Sequence, residues 1–153
     1  MSKNREVNCT VVNNSGYDLT FIDYAGSQGG VINDAHGSYT TLPVTTITNG
    51  QTVTAFAIEK ASGFYGSTGW VSYNLNNNQG TIYFMFNNPY SYEGDDNSGN
   101  CWFYAVIQGS GADGQVGIGT PLTVYAVVSN YTINATDPNN QDTMNVTVTL
   151  NSN

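Results

Sequence analysis

Positive charge is what this sequence has least of. Three basic residues stand against eleven acidic ones, for a net charge of −8. Proteins that grip nucleic acid neutralise phosphates with clustered Lys and Arg, and no such cluster exists here, so nucleic acid is excluded as a partner by that mechanism. Attraction to anionic lipid needs the same clusters and is excluded with it. Any membrane contact must rest on stacking, hydrogen bonds and apolar insertion.

Long apolar runs are also missing. The N-terminal MSKNREVNCT lacks the apolar core of a signal peptide, and no window approaches the roughly 18 apolar residues of a spanning helix. The expectation is a chain that is cytosolic at synthesis.

Catalytic equipment is thin. The one histidine, His36, lies among Gly, Ala and Asp, and no G-x-S-x-G elbow, Walker loop, H-E-x-x-H or C-x-x-C occurs. Nothing marks out a carboxylate pair for glycoside hydrolysis among Asp23, Asp34, Glu59 and the loop acids. The chain is therefore read as a non-enzyme with no cofactor and no catalytic residue. Cys9 and Cys101 are far apart, each in a predicted strand, and read as small buried residues, with a disulfide as the alternative. The loop 93–99, EGDDNSG, sets oxygen ligands at alternate positions as calcium loops do. Its glycine falls one place late for the sharp turn, however, and no bidentate acid closes it. It reads as a solvated tip, and no metal site is expected. Five N-x-S/T triplets, at Asn8, Asn13, Asn130, Asn134 and Asn145, are what a chain rich in Asn and Thr contains by chance.

What the sequence does have is strands and turns. Aromatic residues reach 12%, eleven of them tyrosine, and Asn, Thr, Ser and Gly abound, which suits a pleated surface and tight turns. Alternation predicts strands over 6–12, with Val7, Cys9 and Val11 on one face, and over 18–24, with Leu19 and Phe21 together. The turn cluster 13–16 between them suggests a hairpin. Further strands are predicted over 38–42, 51–59, 70–75, 81–86, 101–108, 122–131 and 144–150. Those at 70–75 and 81–86 pair as a hairpin across 76–80. In 81–86, Ile82, Phe84 and Phe86 point one way, and in 101–108 Cys101, Phe103, Ala105 and Ile107 face the core. No ten-residue segment has a 3.6 period, and no repeat, heptad or linker divides the chain. The expectation is an all-β, antiparallel β-sandwich forming a single domain over residues 1–153.

Three stretches resemble a known family. TIYFMFNNPYSYEGDDNSGNCWFYAVIQGSG (81–111), REVNCTVVNNSGYDL (5–19) and FAIEKASGFYGSTGWVSYNL (56–75) are similar to segments of the aegerolysins. Most of all they look like the small subunit of binary insecticidal toxins of spore-forming bacteria. The resemblance runs in register over about residues 5–110. It implies a sandwich similar to that of the sea-anemone pore formers, which recognises membrane lipid or an epithelial receptor and recruits a larger pore-forming partner. The implied site of action is extracellular, on target-cell membranes, where self-association as a homo-oligomer is compatible with such a role. Fungal members carry tryptophans around the proline corner, where this chain has Asn87, Asn88, Pro89 and Tyr90; the resemblance therefore does not carry sphingolipid specificity.

The residues themselves nominate a docking rim. Tyr and Trp hold an apolar ring at a boundary while a polar handle stays wet. Tyr90 and Tyr92 flank a stiff proline corner, Phe64 and Tyr65 lie in another Gly-bounded loop, and Trp102 and Tyr104 alternate with the core set of their strand. For each, packing beneath a loop is the competing reading. The competing function is a carbohydrate- or protein-binding sandwich without pore activity, in which the same tyrosines stack on sugar rings.

Overall fold

The computed structural model describes residues 5–24, 37–59, 67–75, 80–88, 102–108, 131–135 and 143–152. For Thr68, Trp102, Tyr104, 106–108 and 131–135 it describes the backbone alone. The expected strand at 122–131 lies, but for Tyr131, outside those residues.

Among the described residues, ten strands make two five-stranded sheets. In chain order they are β1 (Glu6–Asn14), β2 (Leu19–Tyr24), β3 (Ser38–Thr41), β4 (Thr46–Ile47), β5 (Thr52–Glu59), β6 (Ser67–Leu75), β7 (Gly80–Asn88), β8 (Trp102–Gln108), β9 (Tyr131–Ala135) and β10 (Thr143–Ser152). One sheet runs β3-β5-β1-β10-β9 and the other β4-β2-β6-β7-β8. The all-β sandwich expected from the sequence is the observed architecture. Its pairings are antiparallel except one: β1 and β10 run parallel, from Glu6↔Thr143 to Asn14↔Asn151. That pairing joins strands from the two ends of the described chain.

Period-2 alternation decides which side of each strand is buried. Val7, Cys9 and Val11 from β1 and Met144, Val146, Val148 and Leu150 from β10 face Ile82, Phe84, Phe86, Phe103 and Ala105 across the sandwich. Cys9 is buried as expected and carries a free thiol, whose pKa burial pushes up; Cys101 lies outside the described residues. Phe84 sits at the centre of an aromatic lattice, with ring centroids 6.0 Å from Tyr73 and 6.4 Å from both Phe56 and Phe103.

Three described pairings carry a register shift, and two of these bulges reshape the core. Opposite Cys9 and Thr10, β5 carries an extra residue, Ala55, so the inward set changes from Val53 to Phe56 and Ile58. This is why both faces of β5 look apolar in sequence. A second bulge, in β2 between Phe21 and Asp23, brings Tyr24 to the core side beside Phe21 and leaves Ile22 half exposed.

The structure corrects three expectations. The strands on either side of 13–16 do not form a hairpin, because β1 and β2 belong to different sheets. The cause is Asn13, which stays in β1 and is fully buried. Its amide donates to the Tyr17 carbonyl at 2.8 Å and the Ile47 carbonyl at 3.0 Å, and its Oδ1 accepts from the Ser15 hydroxyl at 2.6 Å. Every polar group of the side chain is used in bending the chain across to the other sheet. Residues 131–135 form β9, although the sequence suggested that a strand ends at 131. Finally, β7 continues through Asn87 and Asn88 rather than stopping at Phe86, and both asparagines are buried.

Truncating the lattice at its centre is predicted to be costly. Phe84→Ala should lower unfolding free energy by about 3–5 kcal/mol, read from the midpoint of urea denaturation at unchanged slope.

Candidate docking end of the sandwich

One end of the molecule collects the strand termini that flank the nominated aromatics. At that end Ser38 pairs with Glu59, Ser67 with Asn88, Asn87 with Trp102 and Glu6 with Thr143. Glu59 and Ser67 are the described residues that bracket 60–66, and Asn88 and Trp102 those that bracket 89–101. The register therefore brings the roots of both aromatic stretches to adjacent strand positions.

Four of the six nominated residues, Phe64, Tyr65, Tyr90 and Tyr92, lie outside the described residues, as do His36 and the acidic loop 93–99. Trp102 and Tyr104 lie on β8, in register with Asn87 and Met85. The alternate residues of that strand, Phe103 and Ala105, are buried in the core as expected. The face of this sheet opposite the core is not bare: Trp70 and Met85 are paired across β6 and β7, almost wholly buried, and outside the core cluster. The Trp70 ring also meets Tyr83 edge-on at 6.2 Å. Among the described residues no group of three or more His, Cys, Asp or Glu side chains converges.

Two hydrogen bonds tie the sheets together at this end. The Ser67 hydroxyl donates to the Arg5 carbonyl at 2.6 Å, and the Asn88 amide donates to the Glu6 carbonyl at 3.0 Å. The Thr143 hydroxyl donates to the Glu6 carboxylate at 3.3 Å, which adds β10 to the junction. Arg5 itself is buried and has a left-handed backbone, φ 50°. A non-glycine residue holds that conformation only where its surroundings over-determine it.

Sequence reasoning missed a second feature, along the side of the sandwich. Phe21, Tyr24 and Tyr39 are half-buried and packed against the core, with Tyr24 and Tyr39 edge-on at 5.1 Å. Residues 44–45 close that side, Val44 N–H donating to the Ala55 carbonyl and the Thr45 carbonyl accepting from Phe21 N–H. The signal was hidden by the β2 bulge, since strict alternation puts Phe21 and Tyr24 on opposite faces. Tyr73 donates its hydroxyl to the Val44 carbonyl at 2.7 Å, whereas the buried Tyr39 hydroxyl finds no partner among the described residues. Burial pushes both phenols up from the usual value near 10, reinforced by Tyr24 and Tyr73 for Tyr39 and by Cys9 for Tyr73.

Solved structures share this fold, two of them as follows. The lipid-binding protein Nakanori superposes with a TM-score of 0.64 at 18% identity, over 95% of this chain and 70% of that one. IP-1A from Alcaligenes faecalis superposes with a TM-score of 0.60 at 11% identity, over 99% of this chain and 93% of that one. At such identities the likeness is one of fold. No protein-family model and no curated protein sequence matches the chain.

The raised phenol pKa values set a pH dependence. Above pH 10 the unfolded chain releases these protons while the folded chain keeps them, so the stability they confer is complete below pH 10 and declines as pH rises further. Urea midpoints between pH 8 and 11 should fall, and Tyr39→Phe, which keeps the ring and removes the ionisable group, should flatten that fall.

Proposed function

We propose that this chain is a lipid-docking β-sandwich, and that it docks through the end where residues 60–66 and 89–101 are rooted. One observation carries the reading: Ser67 faces Asn88, and Asn87 faces Trp102, so two sequence stretches rich in aromatic residues start from neighbouring positions. Two further points support it. The fold is shared with a solved lipid-binding protein, and an acidic chain rich in Tyr is suited to neutral headgroups approached by rings rather than by charge.

In its finer form the proposal follows the family resemblance. The chain is the membrane-recognising, non-enzymatic component of a two-protein pore-forming toxin, insecticidal in use, that acts on target cells from outside and recruits a larger pore-forming protein. A gene for such a protein beside this one would support the pairing.

Co-sedimentation with phosphatidylcholine vesicles, with and without sphingomyelin, tests docking. Tyr90→Ala and Tyr92→Ala should each weaken binding about tenfold, as expected for losing one buried ring, with little change in melting temperature. Adding phosphatidylserine should weaken binding by native protein, because a net charge of −8 is repelled. Large destabilisation by the tyrosine changes would place those rings in the core. Binding to a glycan array with no affinity for any vesicle would favour the carbohydrate-binding reading instead.

A further inference from the structure

Two of the chain's crossings between sheets lie side by side at one end of the sandwich. Residues 13–18 carry the chain from β1 to β2, and residues 48–51 carry it back from β4 to β5. The second crossing is Thr48-Asn49-Gly50-Gln51, which holds the one Asn-Gly pair in the sequence. Gln51 N–H donates to the Thr48 carbonyl at 3.0 Å, and Gly50 has φ 86° while Asn49 stays out of the left-handed region, so the turn is type II. Asn49 and Gly50 are both exposed. Asn-Gly is a chemically labile pair, because a glycine without Cβ lets its backbone nitrogen approach the preceding side-chain carbonyl with little hindrance. That nitrogen, giving its proton to water, bonds to Cγ; the Cγ–Nδ2 bond breaks and ammonia leaves, closing a five-membered succinimide. Water then opens the ring at either carbonyl, leaving aspartate or an isoaspartyl linkage. Overall one water is consumed and one ammonia released.

The fold holds each reacting group away from this path. Gly50 N–H, which carries the attacking nitrogen, donates to the Asn13 carbonyl at 2.6 Å, and Asn13 N–H donates to the Gln51 carbonyl at 2.9 Å. Asn49 Oδ1 accepts from Gly16 N–H at 2.9 Å, and Asn49 N–H donates to the Asp18 carboxylate at 2.8 Å. The turn adds a geometric bar: type II geometry swings the nitrogen after the first central residue away from that residue's Cβ, whereas ring closure needs it on the Cβ side. We propose that Asn49-Gly50 is a self-modification site, a deamidation site kept unreactive by the docking of residues 13–18 on this turn and released when that docking opens. The conversion is one-way. Aspartate at this position sets a second carboxylate beside Asp18, and isoaspartate adds a backbone atom to a turn whose length is fixed by its bonds to Asn13. Both products weaken the hold on this end of β1. The pair thus marks, irreversibly, a chain that has opened at this corner. Nothing in this chemistry depends on lipid docking.

The test follows deamidation at position 49 by peptide mass mapping during incubation at mildly alkaline pH, with native protein compared with the same protein in denaturing urea. Conversion in urea should exceed that in native buffer by about tenfold or more, since only opened molecules react. Asp18→Ala removes the acceptor that holds the Asn49 N–H. It should speed conversion of the folded protein about threefold or more and leave the rate in urea unchanged. Asp18→Asn, which keeps an oxygen acceptor, should convert at close to the native rate. Ile82→Val serves as the control, a small truncation of a fully buried residue in β7, and should leave the native rate unchanged because it loosens the core and not the corner.

Equal rates in native buffer and in urea would overturn the proposal, because the corner would then give no protection. So would an absence of conversion in urea, which would show that the pair is not labile. Asp18→Ala converting at the native rate would overturn it as well. An acceleration in Ile82→Val that matched that in Asp18→Ala would do the same, since release would then follow global unfolding rather than opening of the corner.

Discussion

The fold depends on how β1 is held. It is the middle strand of its sheet, paired with β5 on one side and in parallel with β10 on the other, and its inward residues Val7, Cys9 and Val11 are fully buried. Both of its ends are also tied to the opposite sheet. Asn13 donates to the Ile47 carbonyl at one end, and the Arg5 and Glu6 carbonyls accept from Ser67 and Asn88 at the other. Buried polar groups cost heavily when unpaired, so these bonds specify where β1 can lie more than they add net stability. The sandwich is built around a strand pinned at both ends.

Other features follow from that placement. Because β1 turns into the second sheet at Asn13, the chain cannot close a hairpin there. Residues 44–45, bonded to Ala55 in one sheet and Phe21 in the other, seal the side that the crossing leaves. The bulges in β5 and β2 let those strands keep apolar residues inward as their pairing shifts, and they gather Phe21, Tyr24, Tyr39 and Phe56 into one aromatic seam. The parallel closure of β1 on β10 joins residues 137 apart in sequence, a contact that local pairing cannot nucleate.

Much of the fold was legible from alternation. The inward sets of β1, β7 and β10, the β6–β7 hairpin and the burial of Phe84, Phe103 and Cys9 follow from period 2 and turn chemistry alone. What alternation could not reveal were long-range and out-of-phase features. A buried Asn at a corner has the same letters as an exposed turn, so Asn13 suggested a hairpin. A bulge inverts the phase, so Tyr24 read as facing away from Phe21. Parallel pairing leaves no mark on either strand, so the β1–β10 closure was invisible. For the site, sequence nominated the aromatics 64–65, 90, 92, 102 and 104, while register supplied what sequence lacks, the adjacency of the strand ends that bracket them. Ser67 and Asn88, which bond the two sheets together at that end, carried no signal beyond being small and polar at strand termini.

A protein of this charge cannot rely on steering by anionic lipid; in the proposed reading, rings on a rigid base do the docking. The claim at the centre of that account is spatial, since contact is assigned to one end of the sandwich. Hydrogen exchange of the backbone amides, with and without phosphatidylcholine vesicles, tests it most directly. Added protection should be confined to 60–67 and 88–102, with the opposite turns at 15–17 and 48–51 exchanging as in free protein. Protection centred on those opposite turns, or spread evenly over both sheets, would contradict it.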